Sequence, residues 1–360
     1  MTPPIGVLLM AYGTPRNLDE VEPYYTDVRG GRPPTSQLLE ELRERYRQVG
    51  GHTPLLEISQ AQARRVQEEL DALAPGRYRV YIGMKHWHPF LDVPVRQMAA
   101  DGVTQAVAVA LAPHYSRLSI QGYIDRIESA QTKLAAEGAA SQPGDTDQTG
   151  ETSLAPTVGK SAGSEQAPGE TSLTPTVGQS GHAEKATAFT FVKSWHDEPR
   201  FWDALAERVR SALAGKFAPD ERDDVFVLFT AHSLPQRILE WDDPYPRELM
   251  ATAQGVATLS NLPRERWDFA FQSAGRTPEP WLGPDLLPKL RELASGGAGA
   301  SGGHPAILVC PVGFISEHLE ILYDIDIEAQ QLADELGIHL ERIDMLNDAP
   351  TLARAIAAVV

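Results

Sequence analysis

Cysteine is almost missing: Cys310 stands alone among 360 residues. A single thiol excludes an intrachain disulfide, a cysteine zinc site and a four-cysteine iron–sulfur cluster. It lies in the apolar run "AILVCPVGF" and reads as a buried core side chain. Long hydrophobic runs are missing as well. No stretch reaches the ~18–20 apolar residues of a membrane span. The N-terminal "MTPPIGVLLMAYG" has no basic region ahead of its apolar segment, so the expectation is a cytoplasmic chain without a signal peptide. Basic residues are in deficit: 32 Lys and Arg against 49 Asp and Glu give a formal net charge of -17. Nucleic-acid binding demands the opposite balance. An anionic small molecule would have to be held by a local basic cluster, not by the overall field. No segment reads as an oligomer interface, and a monomer is expected.

What is present is a set of short apolar runs that end in Gly, Pro or His: "IGVLLMAYGTP", "YRVYIGMKHWHP", "TQAVAVALAPHYS", "DDVFVLFTAHSLP", "RWDFAFQSAGRTP" and "AILVCPVGFISEH". Near-continuous hydrophobicity over strand-length segments is the pattern of strands buried on both faces. Segments of helical period lie between them, among them 55–73, 90–98 and 200–213. The alternation argues for an α/β chain with parallel sheets, arranged as two Rossmann-like lobes around a cleft. The expected division is 1–115 and 116–360, each lobe with its own core. In such sheets ligands bind at the C-terminal strand ends. Polar residues collect at those ends here: Tyr12, Lys85 and His86, His114, His232, Gln272 and Ser273, and Ser316 to His318. Six in register point to one site built from strand ends. Trp87 and Trp281, in the same loops, read as packing residues.

Between about 138 and 187 the composition turns to Gly, Pro, Ser, Thr, Gln and Glu, and "GETSLAPTVGKS" returns as "GETSLTPTVGQS". The segment has little to bury and reads as a disordered insertion grown by duplication. "ASGGAGASGGHP", before the last apolar run, reads as a second flexible stretch.

Two charge patterns stand out. In "GFISEHLEILYDIDIEAQ", a helical reading places Glu317, Glu320, Asp324 and Glu328 on one face with no Lys or Arg in the segment. This is either a solvated acidic face or a row whose counter-charge is a metal ion. In "DVRGGRPPTSQLLEELRERYRQVGG", Arg29, Arg32, Arg43, Arg45 and Arg47 are interleaved with Glu40, Glu41 and Glu44, as on an exposed salt-bridged helix. His232 in "TAHSLP" follows a buried strand directly and is placed to act as a base or a metal ligand. One imidazole facing one carboxylate binds a divalent metal weakly, which suits a metal that is handed on.

Taken together, "LLMAYGTP", "YIGMKHWHPF", "ALAPHYS", "TAHSLP", "FQSAGRTPEPWLGPD" and "CPVGFISEHLEILYDIDIE" resemble, in order, the motifs of the ferrochelatases, which insert ferrous iron into a porphyrin. The resemblance implies two chelatase-type lobes with a porphyrin cleft between them. It implies that His232 is the active-site histidine and Glu320 the catalytic glutamate. Asp324 and Glu328 match a secondary acidic pair that holds hydrated metal, Mg2+ being one candidate, or relays protons. It also implies a widened turn in this helix. No organic cofactor and no iron–sulfur cluster is implied, since Fe2+ is a substrate.

Tyr12 in "AYGTP" resembles the phenol that contacts the metal in coproporphyrin III ferrochelatases. Their tetra-acid substrate needs donors, and the resemblance points to Arg29, Arg45, Thr53 and Tyr123. Iron insertion into coproporphyrin III is the leading expectation, with a downstream haem-forming enzyme as recipient. A protoporphyrin IX ferrochelatase, another tetrapyrrole chelatase and a non-catalytic porphyrin carrier are the alternatives.

Overall fold

The computed structural model describes residues 3–140, 186–275, 277–296 and 303–360. The repeats at 150–161 and 169–180, and the core of the Gly-rich stretch before the last long apolar run, fall outside them.

The first sheet is built from β1 (Ile5–Ala11), β2 (Tyr78–Met84), β3 (Gln105–Ala110) and β4 (Ala188–Val192) in the order β2-β1-β3-β4. The second is built from β5 (Phe226–His232), β6 (Trp267–Gln272), β7 (Ala306–Cys310) and β8 (His339–Arg342) in the order β6-β5-β7-β8. All pairings are parallel. Both sheets therefore repeat one winding: second strand, first, third, fourth. In each, the order reverses between the first and third strands, where an α/β sheet opens a crevice at its C-terminal edge. The six apolar runs become β1, β2, β3, β5, β6 and β7. β4 and β8 complete the two sheets at their edges.

The boundary expected at 115 does not coincide with a sheet boundary. After β3 the chain forms α5 (Gln121–Ala140), which packs on α4 (Asp92–Ala100), and then adds β4 to the first sheet through β3. The first lobe thus extends to Val192. Nor does each lobe keep a core to itself. Along β1, Val7 and Leu9 face one cluster, while Leu8 and Met10 face another. Along β5, Val227 and Phe229 join the same cluster as Val7, while Phe226 and Leu228 face away. The two-residue period of a strand thus gives each sheet an outer face and an inner face, and the inner faces share one continuous core. Helices α3 (Leu55–Leu73), α6 (Pro199–Lys216) and α10 (Pro350–Ala358) fill the layer between, with α10 packed against both α3 and α6. Cys310 belongs to this shared core, and burial pushes its thiol up.

Four further helices complete the walls, among them α8 (Leu286–Ser295), which follows β6 and packs on it. α1 (Val21–Val28) and α2 (Ser36–Gln48) follow β1, with the Thr35 hydroxyl capping α2 at the Leu38 amide. α7 (Tyr245–Leu259) follows β5. After β7 the chain turns at Gly313, where an added Cβ would stand 2.5 Å from the Ala231 Cβ. Only glycine lets this loop lie against the strand that carries His232. The loop enters a π-helical segment, Glu320–Ala329, that continues into α9 (Gln330–Leu336).

Candidate active site

A cavity of about 860 Å³ opens between the C-terminal edges of the two sheets. This is at the upper end of the range for small-molecule sites. All six strand ends reach it: Tyr12, Lys85 with His86, His114, His232, Gln272 with Ser273, and Ser316 with His318. Tyr12 follows β1 and His232 ends β5, so the two occupy equivalent positions in the repeated winding.

On the second-lobe wall, His232 Nε2 lies 3.5 Å from Glu320 Oε1, and His318 Nε2 lies 3.6 Å from Glu320 Oε2. The other nitrogen of each ring bonds a backbone carbonyl: His232 Nδ1 to Ser233, and His318 Nδ1 to Ser316 at 2.9 Å. A carbonyl only accepts, so both Nδ1 atoms carry hydrogen, and each neutral ring turns a bare Nε2 toward the carboxylate. Two lone pairs facing a carboxylate are stable only with a cation among them, either a proton on an imidazole or a metal ion. Burial raises the Glu320 carboxyl, but the positive charge that His232 and His318 can carry outweighs it and holds the group at about 2. A buried Oε2 without a hydrogen bond adds to the demand for a cation. Supporting contacts fix the pieces: Tyr245 Oη donates to the His232 carbonyl at 3.0 Å, and Gln272 Nε2 donates to the Glu320 carbonyl at 3.1 Å.

The π winding explains the acid row. In an α-helix a step of four overshoots a full turn by about 40°, so positions 320, 324 and 328 would drift around the axis. The wider i→i+5 winding turns each residue through a smaller angle, so a step of four no longer overshoots the turn. Glu320, Asp324 and Glu328 all reach the cavity. Glu317 does not; it lies 3.4 Å from Arg342, which also holds Asp326 at 2.6 Å. The counter-charge missing from the local sequence thus comes partly from β8. Asp324 is 5% exposed. Burial, then the charge of Glu320, push its carboxyl up to about 7, against the Ser273 hydroxyl that donates to Oδ2 and Arg45 at 3.7 Å from Oδ1.

The facing wall carries Tyr12, whose ring centroid is 4.6 Å from that of His86. Asp27 Oδ2 accepts from His86 Nδ1 at 2.8 Å and from Arg126 at 2.7 Å. Burial lowers His86 to about 4 in spite of Asp27. Lys85 sits over the Tyr123 ring, 4.9 Å from its centroid; burial, then the charge of Arg126, lower its ammonium to about 8.

Of the residues singled out from the sequence, Tyr12, Arg45, Tyr123, His232, Glu320, Asp324 and Glu328 line the cavity. Arg29 and Thr53 do not. Arg29 ends α1 with its guanidinium over the Tyr25 ring. Thr53 is 3% exposed and shares a 2.8 Å hydrogen bond with Thr14. Trp281 lines the cavity with its ring packed over Gly275, where a Cβ would meet it at 2.3 Å. Sequence reasoning assigned no role to His318, Tyr245, Lys85 or His86. His318, Lys85 and His86 carried the signal that singled out His232, a strand-end position.

A family model described as Ferrochelatase matches residues 4–142 and 171–360. The chain belongs to the ferrochelatase family. A Ferrochelatase of Herpetosiphon aurantiacus is 42% identical over 100% of this chain and 99% of its own length. A Coproporphyrin III ferrochelatase of Geobacillus sp. is 35% identical over 99% and 96%. Among solved structures, a multi-domain Deinococcus radiodurans protein described as similar to chelatases superposes with a TM-score of 0.50 at 12% identity, covering 98% of this chain and 54% of that one. As a ferrochelatase, the chain takes porphyrin and iron as substrates and inserts one into the other. No described helix is long and apolar enough to cross a membrane.

Proposed function

We propose that this ferrochelatase metallates coproporphyrin III, giving Fe-coproporphyrin III. The observation that carries this reading is Tyr12, a phenol in the cavity at the strand end equivalent to that of His232. Several curated relatives at 33–36% identity carry the name Coproporphyrin III ferrochelatase, which supports the same substrate.

In this reading the ring lies between the two walls. His232 Nε2 takes a pyrrole proton, and Glu320 stabilises the imidazolium that forms. Once His232 has passed that proton on to the acid row, the same Nε2 takes the second pyrrole proton, and Fe2+ takes the place of both on the ring nitrogens. Tyr12 contacts the metal from the opposite side. Rigid walls hold the macrocycle bent so that its nitrogens are accessible, with the strain offset by binding at the ring periphery. Asp324 and Glu328 hold a hydrated divalent cation such as Mg2+ or incoming iron. Arg45 and Lys85 give charge-assisted bonds to propionates and Tyr123 a hydroxyl. Arg29, next to the wall residues Tyr25 and Val28, serves a propionate at the mouth. The reading also takes the protein as a cytoplasmic monomer that passes its product to a haem-forming enzyme.

The test is anaerobic absorbance of the purified protein with Fe2+ and either coproporphyrin III or protoporphyrin IX. Fast metallation of coproporphyrin, slow metallation of protoporphyrin, and loss of both in His232→Ala with ring binding retained are expected. The reverse preference would remove the substrate assignment. Ring binding without metallation above the protein-free rate would remove the catalytic one.

A further inference from the structure

The segment 114–117, which follows β3, is docked on the second lobe residue by residue. His114 Nε2 and Thr252 Oγ1 of α7 share a 2.9 Å hydrogen bond. The Tyr115 amide donates to Glu248 Oε2, also on α7, at 2.6 Å. The Ser116 hydroxyl and the Arg117 amide both donate to Asp243 Oδ2, at 3.1 and 2.7 Å. The Arg117 guanidinium lies 5.3 Å from the centroid of the Trp241 ring. Two carboxylates of the second lobe, Asp243 and Glu248, thus each hold a backbone amide of the first.

They differ in what else they hold. Glu248 Oε2 also accepts from Ser194 at 2.8 Å, a residue that does not line the cavity. Asp243 turns its second oxygen to the start of α7, where Oδ1 accepts from the Tyr245 amide at 3.0 Å. Tyr245 is the residue whose hydroxyl holds the His232 carbonyl. On the first-lobe side, Ser116 Oγ accepts from the Leu118 amide at 3.2 Å. Leu118 lines the cavity beside Ser119, whose carbonyl accepts from Lys85 Nζ at 3.1 Å. A continuous run, Leu118, Ser116, Asp243, Tyr245, His232, therefore joins one wall of the cavity to the other. Ser116 is 0% and Asp243 5% exposed, so water does not compete for these bonds. Three donors converge on Asp243, and aspartate is the shortest side chain with two acceptor oxygens.

We propose that Asp243 is a positioning residue: through Tyr245 it fixes His232 relative to the cavity-lining loop of the opposite lobe. That loop forms part of the wall on which the ring lies, and His232 must meet the nitrogens of the same ring. A displaced base slows proton transfer without weakening ring binding. This rests on the reading that His232 takes the pyrrole protons.

The test is anaerobic metallation kinetics with Fe2+ and whichever of coproporphyrin III and protoporphyrin IX reacts faster, beside ring affinity from fluorescence quenching and Tm from thermal unfolding. Asp243→Ala and Glu248→Ala each remove one carboxylate from the seam, so both are expected to lower Tm. Only Asp243→Ala is expected to lower kcat, by about fivefold, with KM and ring affinity unchanged. Combined with Tyr245→Phe it is expected to stay about fivefold slow, whereas independent effects would multiply to about 25-fold. If Asp243→Ala does not fold, Asp243→Asn, which keeps the shape and one acceptor oxygen, completes the same cycle. Effects that multiply overturn the proposal, as does an equal loss of kcat in Glu248→Ala or a loss confined to KM. Wild-type kcat in His232→Ala overturns the assignment of the base and this proposal with it.

Discussion

Asp324→Asn should make the protein more stable, increasingly so as pH rises toward the folded-state value. The buried carboxyl titrates at about 7 in the folded protein, against 3.8 for an exposed aspartate. The folded state therefore binds more protons than the unfolded state between these two values. By linkage its stability falls as pH rises through that window, and the full loss is present above the folded value. Each unit of displacement is worth about 1.4 kcal/mol. Moving from about pH 5 to about pH 8.5 crosses roughly two units of the window, a loss of about 3 kcal/mol. Asparagine has nothing to ionise, and its side-chain oxygen still accepts from Ser273. Urea unfolding of both proteins at the two pH values isolates the effect, because every other titrating group is common to both. The gap by which the variant exceeds the wild type should widen by roughly 3 kcal/mol from the lower pH to the higher one. A difference independent of pH would refute the argument that Asp324 is ionised at a cost.

Tyr245→Phe removes the hydroxyl that holds the His232 carbonyl. Metallation should slow about fivefold with ring affinity unchanged, read as kcat against KM. Gly313→Ala drives a methyl into Ala231 and should lower stability by about 1–3 kcal/mol in thermal unfolding. Thr53→Val leaves Thr14 short of one hydrogen bond, so a loss of about 1 kcal/mol is expected with coproporphyrin affinity unchanged. A drop in ring affinity instead would return Thr53 to the propionate site.

The strands and their reactive ends were readable because both sheets are covered on both faces, so each long strand is a continuous apolar run with an abrupt polar stop. β4 and β8 were not, because edge strands carry mixed exposure and are short: "AFTFV" and "HLER" have no such run. The division into lobes was misplaced for the same reason, since the missed β4 is what extends the first lobe. The spacing of Glu320, Asp324 and Glu328 marked a row, and resemblance implied the widened turn. The cation beside Asp324 could not be seen, because Arg45 comes from α2. Thr53 shows the converse limit: a hydroxyl at the right place in the chain is turned inward by its partner, Thr14. His232 ends a buried strand, whereas His318 lies eight residues beyond the end of β7, and only geometry shows that the two flank one carboxylate.

The single core shared by the two sheets bears on how such an enzyme works. α10 closes the chain against α3 of the first lobe and α6 of the second, so the lobes are joined by packed side chains as well as by connecting loops. Packed interiors compress little. The cleft is therefore closer to a vice with fixed jaws than to a hinged mouth. When a flat macrocycle meets fixed jaws of the wrong shape, the macrocycle is what bends. Loosening the joint, for example by trimming Leu352 and Ile356 from α10, should leave every reactive side chain in place and still slow the reaction, because the force that deforms the ring would go into opening the jaws.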